Sequence, residues 1–381
     1  MKIALIGPAH PYRGGISHYN TVFCQNLEKK HQIKAISFKR LYPKLLFPGK
    51  DQKDLDSEKK IDTESIKAEE IIDSINSLTW FKTYKRVKKF KPQIVMMYWW
   101  TPFFTFVFGS IAYMIRNFTK SKVVFLCHNV VSHETRFIDN YLTKLALRNS
   151  DYFIVHASKE KKVLEKLIPG AKVIQHVHPT YDVFESAFKK KDISHLKLKK
   201  KTILFFGFVR EYKGLIYLIK AMPHILKKVD LDLLIVGEFW GGSKVKKQYT
   251  DLIKKLKLEK NIKIIDSYVP NEEVGNYFEA SDIVVLPYLS ATNSGIIQIS
   301  FALNKPVIVT NVGGLPEVVT HNKTGLVIPP KDEQAIADAI ILYYQQKLRN
   351  KFIKNIKKER HRFSWDRLIE VVEDIEKGKY D

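Results

Sequence analysis

Short apolar runs recur along the first half of the chain: KIALIG (2–7), IKAISF (33–38), QIVMMYWW (93–100), KVVFLCHN (122–129), DYFIVHA (151–157) and KVIQHVH (172–178). Between them lie segments with helical spacing, such as SHYNTVFCQNLEKK and FIDNYLTKLALRN. Strands buried on both faces of a parallel sheet read as such runs, and each parallel crossover needs a dozen or more residues, which a helix fills. The alternation thins through PTYDVFESAFKKKDISHLKLKKK (179–201), where lysines accumulate. It resumes with TILFFGF, LDLLIVG, IKIIDSY, DIVVLPY and KPVIVTN. The pattern predicts an α/β chain with two doubly wound domains, 1–183 and 201–362, joined by a basic linker at 184–200. A length of 381 residues suits two cores rather than one. The charged stretch 47–70 has no apolar stripe and reads as a surface excursion of the first domain.

Two segments look like membrane or export signals until they are read closely. In MKIALIGPAHPYRGG, Gly7 and Pro8 interrupt the apolar run and no cleavage site follows, so a first strand is expected. The segment 94–115 is long enough to span a bilayer as one helix, but Pro102 breaks it. A buried strand over 94–100 and an apolar helix from about Pro102 are predicted.

The charge is lopsided, with 64 Lys+Arg against 40 Asp+Glu, a net +24. Such a balance attracts nucleic acid, anionic lipid or phosphorylated small molecules. The basic clusters at 188–201, 254–263 and 354–362 carry neither an aromatic–basic RNA motif nor zinc-finger spacing, so solvated faces account for most of them and no nucleic-acid partner is expected. The only cysteines, Cys24 and Cys127, exclude a disulfide framework and an all-cysteine metal site and fit a reducing cytoplasm.

Ligands of doubly wound sheets collect beyond the carboxyl ends of strands. After the first strand, Gly14 and Gly15 let backbone approach an anion at a helix start, although a plain glycine turn explains the same spacing. Neither the dinucleotide glycine fingerprint nor a P-loop is present. His128 follows a strand, where an imidazole can donate a hydrogen bond, accept a proton or simply serve structure. His133 and Glu134 come next, without the spacing of a metal site. Arg210 and Lys213 lie on the loop after the first strand of the second domain, suited to grip a diphosphate. Between 289 and 298, hydroxyls, an amide and a glycine precede an apolar helix, with Ser294 and Gly295 nearest an anion there. The paired glycines of NKPVIVTNVGGLPEVV (304–319) allow either a phosphate site or a tight strand-to-helix connection.

In order along the chain, the GGI loop, HNVVSHE, GFVREYKG, YVPNEEVGNYFEASDIVVLPY and NKPVIVTNVGGLPEVV followed by TGLVIPP resemble the family 4 (group 1) retaining glycosyltransferases. That resemblance implies a GT-B fold, two Rossmann-like domains with the nucleotide-sugar donor in the cleft, and polysaccharide biosynthesis as the setting. RHRFSWDRLIEVVEDIEK resembles the C-terminal helix that returns to the first domain, expected over 363–381.

Carried over residue by residue, the resemblance implies that Arg210 and Lys213 bind the donor diphosphate and stabilise the leaving group, and that His128 contacts the donor sugar. It places the base at Tyr268 and Val269, and the donor also at Gly14, Gly15, Thr292, Asn293, Ser294, Gly295 and Gln298. Tyr12, Arg13 and His18 fall on the acceptor side. It implies hexosyl transfer with retention and no metal or other cofactor, since basic side chains and helix N-termini neutralise the departing diphosphate. The paired glycines at Gly313 and Gly314 become scaffolding for the Ser294 loop.

Two departures stand out. The family's paired glutamates are absent: Ala291 and Ile299, or by a one-residue shift Thr292 and Ser300, occupy their places, leaving Thr292, Asn293 and Gln298 as neutral hydrogen-bonding groups. Arg210 also sits closer to the lysine than the family's arginine. An epimerase-like enzyme and a non-catalytic nucleotide-sugar or glycan-binding homologue are therefore the alternatives. The acceptor class implied is a saccharide or lipid-linked saccharide, and the basic surface with Trp99, Trp100, Phe103 and Phe104 suits peripheral contact with an anionic membrane, unless those aromatics fill the first core.

Overall fold

The computed structural model describes residues 1–43, 52–53, 68–130, 137–181 and 190–381. Most of the excursion at 47–70, the linker residues 184–189, and His133 and Glu134 lie outside the described residues. The chain divides into two compact units, Met1–Pro179 with Ser364–Asp381, and Thr180–Phe363.

The first unit is built on seven parallel strands: β1 (Lys2–Ile6), β2 (Gln32–Arg40), β3 (Glu69–Asp73), β4 (Ile94–Trp99), β5 (Lys122–Cys127), β6 (Tyr152–Val155) and β7 (Val173–Gln175). Their spatial order is β3-β2-β1-β4-β5-β6-β7. The second unit has six, β8 (Thr202–Phe206), β9 (Asp232–Val236), β10 (Ile262–Ile265), β11 (Ile283–Leu286), β12 (Val307–Thr310) and β13 (Gly325–Ile328), ordered β10-β9-β8-β11-β12-β13. Each order reverses once, between β1 and β4 and between β8 and β11, and loops leaving those strands part to form a crevice. The strands flanking both reversals are apolar and buried throughout, apart from exposed Lys2 at the start of β1 and the polar but buried Thr202 at the start of β8.

Two strands escaped the sequence pattern. β3, EEIID, buries only Ile72 and so carries no apolar run. β13 has only four residues, too few to show a period. Conversely, β7 stops at Gln175, three residues short of the predicted run, because its partner β6 ends at Val155 in that register.

Pro102 does break the apolar stretch: β4 ends at Trp99, a short turn spans Pro102–Phe104 and a helix runs Thr105–Phe118. Trp99 and Phe104 are fully buried, and Trp100 and Phe103 pack on the same core. Trp99 and Phe104 therefore fill the first core, and Trp100 and Phe103 are partly buried against it. Among the described residues no helix is long and apolar enough to cross a membrane. The described part of the basic linker counts with the second unit. The Lys191 N–H donates to Asn276 Oδ1 at 2.7 Å, its ammonium pairs with Glu273 at 2.8 Å, and the Lys199 N–H donates to Asp232 Oδ2.

The helix Trp365–Glu376 belongs to the first unit. Ser364 caps it by accepting from the Arg367 N–H, and its apolar stripe of Trp365, Leu368, Ile369, Val372 and Ile375 is buried. The Trp365 ring stacks on Phe23 with centroids 5.7 Å apart.

Candidate functional site

In the second unit the site gathers at the β8/β11 reversal. β8 delivers the chain to Gly207, whose φ of 96° favours glycine and where an added Cβ would lie 3.0 Å from the Lys213 Nζ. A short turn, Glu211–Lys213, then brings Lys213 back under the strand end before the helix Leu215–Leu226 begins. Lys213 is only 8% exposed, and its Nζ lies 5.7 Å from the centroid of Tyr288 just beyond β11. Burial, with the neighbouring Arg210 charge adding to it, pulls the Lys213 ammonium down to about 7. Arg210 is extended and lays its guanidinium 4.2 Å from the Trp240 ring centroid. The two cations therefore come from one loop, one buried and one clamped on an aromatic face.

The loop after β11 supplies the facing wall. The Leu289 N–H donates to the Tyr212 carbonyl at 2.7 Å, tying the two loops together. Tyr288 and Ser294 share a hydroxyl hydrogen bond of 3.4 Å, and Ser294 opens the helix Gly295–Ala302 without using its side chain as a cap. Buried polar atoms of this wall have no hydrogen-bond partner: Asn293 Oδ1 and Nδ2, and Gln298 Oε1, whose residue is 1% exposed. Such groups cost stability unless something satisfies them, and their clustering on the loop and helix that follow Tyr288, the ring that Lys213 approaches, is a mark of a polar ligand site. Thr292 is buried beside them, Ala291 and Ile299 are buried apolar groups, and the Ser300 hydroxyl donates to the Ile296 carbonyl within its own helix.

The paired glycines take the scaffolding role. Gly313 has φ of 54°, and a Cβ there would come within 1.6 Å of the Ala291 carbonyl oxygen. The Gly314 N–H donates to the Thr292 carbonyl at 2.8 Å. The turn thus presses against the backbone of the 291–294 loop, while the helix it starts, Leu315–Val318, is a single turn. Tyr268 and Val269 follow β10, the edge strand two places from β8, with Val269 buried and Tyr268 half-buried.

The remaining candidates lie in the first unit. Gly14, with φ of 105°, and Gly15 start the helix Gly15–Glu28, and a Cβ at either would meet nothing within 4 Å. Arg13 and His18 flank them half-buried, but Tyr12 is 4% exposed and packs into the first core with Lys53 over its ring at 5.1 Å. His128 directly follows β5, its N–H donating to the Trp99 carbonyl at 2.8 Å. Its ring stacks on Tyr98 and meets Tyr19 edge-on at 4.8 Å, with Nε2 shielded and without a partner. Burial, then the nearby His178, lowers it to about 3, so at neutral pH it is an uncharged hydrogen-bonding imidazole rather than a proton acceptor.

Three participants were not singled out from sequence. Trp240, in the loop after β9, holds Arg210. His156 and His178 join His128 in a triangular cluster, with ring centroids 5.1 to 6.4 Å apart. Their signal was present: KVVFLCHN, DYFIVHA and KVIQHVH, three consecutive predicted strands, each carry a histidine at or near their carboxyl end. Among the described residues, no group of three His, Cys, Asp or Glu side chains is placed to hold a metal ion.

Against known proteins, residues 186–359 match the model of a family described as Glycosyl transferases group 1. Both parallel-sheet units together have the α/β, GT-B class of fold: the Anabaena protein HepE, solved in complex with UDP and glucose, superposes with a TM-score of 0.74 at 16% identity, covering 98% of this chain and 99% of that one. Over 182 residues the chain is 28% identical to a glycosyltransferase of Methanocaldococcus jannaschii, described as uncharacterized, spanning 47% of this chain and 45% of that protein. It is 31% identical over 148 residues to the D-inositol 3-phosphate glycosyltransferase of Corynebacterium glutamicum (strain R), spanning 38% and 35%. The matched stretch is thus about half or less of the length of these relatives.

Proposed function

We propose that this protein is a glycosyltransferase that moves a sugar from a nucleoside-diphosphate sugar to a hydroxyl of a saccharide or lipid-linked saccharide, retaining the anomeric configuration and using no metal. The observation that carries this reading is the buried Lys213 with Arg210 at the β8/β11 reversal, facing the amino end of the helix Gly295–Ala302. A diphosphate that gains charge as the sugar departs is stabilised by fixed cations and free helix N–H groups already aimed at it. An ammonium poised near neutrality gains its proton fully when an anion arrives. Asn293 and Gln298 offer neutral hydrogen bonds to sugar or ribose hydroxyls. Taken by itself, His128 in the first unit is a neutral imidazole able to donate or accept a hydrogen bond. The UDP and glucose bound by HepE and the sequence match to group 1 transferases support the donor class.

A second reading, a nucleotide-sugar-binding protein without turnover, draws on one observation: no carboxylate occurs between 287 and 302. Thermal-shift titration with UDP, GDP and ADP, on the wild type and on Arg210→Ala with Lys213→Ala, tests the site. A ligand binding only the native state raises the midpoint by about 2.7 kcal/mol of stability at a hundredfold excess over Kd. One nucleotide is expected to stabilise the wild type and not the double variant; stabilisation of neither removes the donor-site assignment. Release of free nucleotide dependent on added saccharide then separates transfer from binding alone.

A further inference from the structure

Apolar side chains grouped in solvent and rimmed by one sign of charge mark a docking surface. In the first unit the helices Ser77–Phe90, Thr105–Phe118 and Phe137–Leu147 pack side by side. Eight of the eleven exposed large apolar side chains among the described residues lie on these helices or just before the first, with Leu78 77%, Tyr141 66% and Phe106 61% exposed. Two of the helices share a ring beneath this surface: exposed Phe81 meets the buried Tyr84 at 5.9 Å between centroids, Tyr84 meets exposed Phe118 at 6.4 Å, and Phe118 meets exposed Tyr113 at 6.4 Å. Between the second and third helices lies a groove of about 330 Å³ lined by Phe106, Tyr113, Met114 and Leu145.

The charge on this face is nearly all of one sign. The three helices carry Lys82, Lys85, Arg86, Lys88, Lys89, Arg116 and Lys144 against a single acid, Asp139. Two of the cations are compensated from neighbouring elements, Arg86 by Glu69 at 3.4 Å and Arg116 by Asp151 at 3.5 Å. Lys85 and Lys88 lie over the rings of Phe81 and Tyr84 at 4.7 and 5.6 Å, apolar stems along the patch and ammonium groups at its rim.

We infer that this three-helix face of the first unit docks on an anionic lipid surface. Apolar side chains reaching the acyl boundary beside lysines at headgroup level are the pattern that binds such a surface. A second copy of the same face would bring lysine against lysine, which opposes self-association. The docking residues are not the buried Trp99 and Phe104 or the partly buried Trp100 and Phe103, but exposed side chains on the helices around them.

The test is co-sedimentation of the full chain with vesicles of phosphatidylcholine alone or mixed with phosphatidylglycerol. At low salt, partition onto the anionic vesicles is expected to exceed that onto neutral ones by about tenfold or more, and to fall as salt rises. Leu78→Ser with Phe81→Ser and Phe106→Ser, and separately Lys82→Glu with Lys85→Glu, Lys88→Glu and Lys89→Glu, should each lower it by about tenfold or more. All seven positions are exposed, so both variants should melt as the wild type does; if one does not fold, the other still decides. Equal partition onto both vesicles, or variants that bind like the wild type, overturns the inference. So does concentration-dependent self-association in sedimentation velocity that the triple variant abolishes, which would assign the face to a second copy.

Discussion

The Arg210 guanidinium lies 4.2 Å from the centre of the Trp240 ring, so a loop after β9 holds a cation delivered by the loop after β8. A partly exposed cation–π contact is worth about 0.5–1 kcal/mol, and here it also fixes the direction of the guanidinium. Trp240→Ala is expected to weaken nucleoside-diphosphate binding by roughly threefold to fivefold, with Trp240→Phe closer to wild type. Calorimetric titration checks this; an unchanged Kd in Trp240→Ala would show that the stacking is incidental.

Lys213 titrates near 7 when the site is empty of anions, because burial disfavours its charge. An arriving diphosphate favours the charged form, so binding takes up a proton wherever free Lys213 is deprotonated. Apparent affinity should therefore fall by up to about tenfold per pH unit above 7 and level off below it. Calorimetry in buffers of different ionisation enthalpy should report this proton uptake, and Lys213→Met should abolish it. A flat pH dependence between 7 and 9 would sink the assignment of Lys213 as the buried diphosphate cation.

Gly313 and Gly15 should respond in opposite ways to alanine. At Gly313 the positive φ and the carbonyl of Ala291 leave no room, so Gly313→Ala should cost roughly 1–3 kcal/mol and disturb the 291–294 loop. At Gly15 nothing lies within 4 Å, and Gly15→Ala at a helix start should leave the melting temperature unchanged or slightly raised. Thermal melts of the two variants provide the comparison, and equal destabilisation would contradict it.

Gln298 is buried, yet its Oε1 lacks a partner. Removing an unsatisfied buried acceptor is close to neutral for stability, whereas a ligand that used it loses a hydrogen bond of about 0.5–1.5 kcal/mol. Gln298→Met should keep the melting temperature and weaken donor-sugar binding more than binding of the bare nucleotide. Loss of both in equal measure would place Gln298 in the scaffold instead.

Acid should destabilise the first unit through its histidine cluster. His156 and His178 donate through Nδ1 to the carbonyls of His176 and Pro179, and burial lowers both, His178 to about 4, with His128 at about 3. Folded values below the unfolded 6.5 mean that the contribution is fully present above 6.5 and is lost as pH falls from there toward 4. Each histidine should cost about 1.4 kcal/mol per pH unit through that window. His156→Asn keeps a donor near the Nδ1 position and removes one titration, so its stability should fall less steeply between pH 6.5 and 4.5 in chemical denaturation.

Much of this protein was legible in order along the chain. Apolar runs alternating with helical segments specify parallel sheets because strand and helix periods are local properties of the backbone, and Pro102 broke the one long apolar stretch for the same local reason. The glycines and cations at Gly14, Gly15, Arg210 and Lys213 were visible as strand-end chemistry. What the tertiary structure alone decided was which side chains meet and which face they turn. Trp240 reaches Arg210 from the loop after another strand, three histidines that follow three strands form one cluster, and Gly313 supports the backbone of Ala291, far earlier in the chain. Trp99 and Phe104 are core while Leu78 and Phe106 face water, although all four are simply apolar in sequence. Burial depends on neighbours brought from far along the chain, and no local period records them.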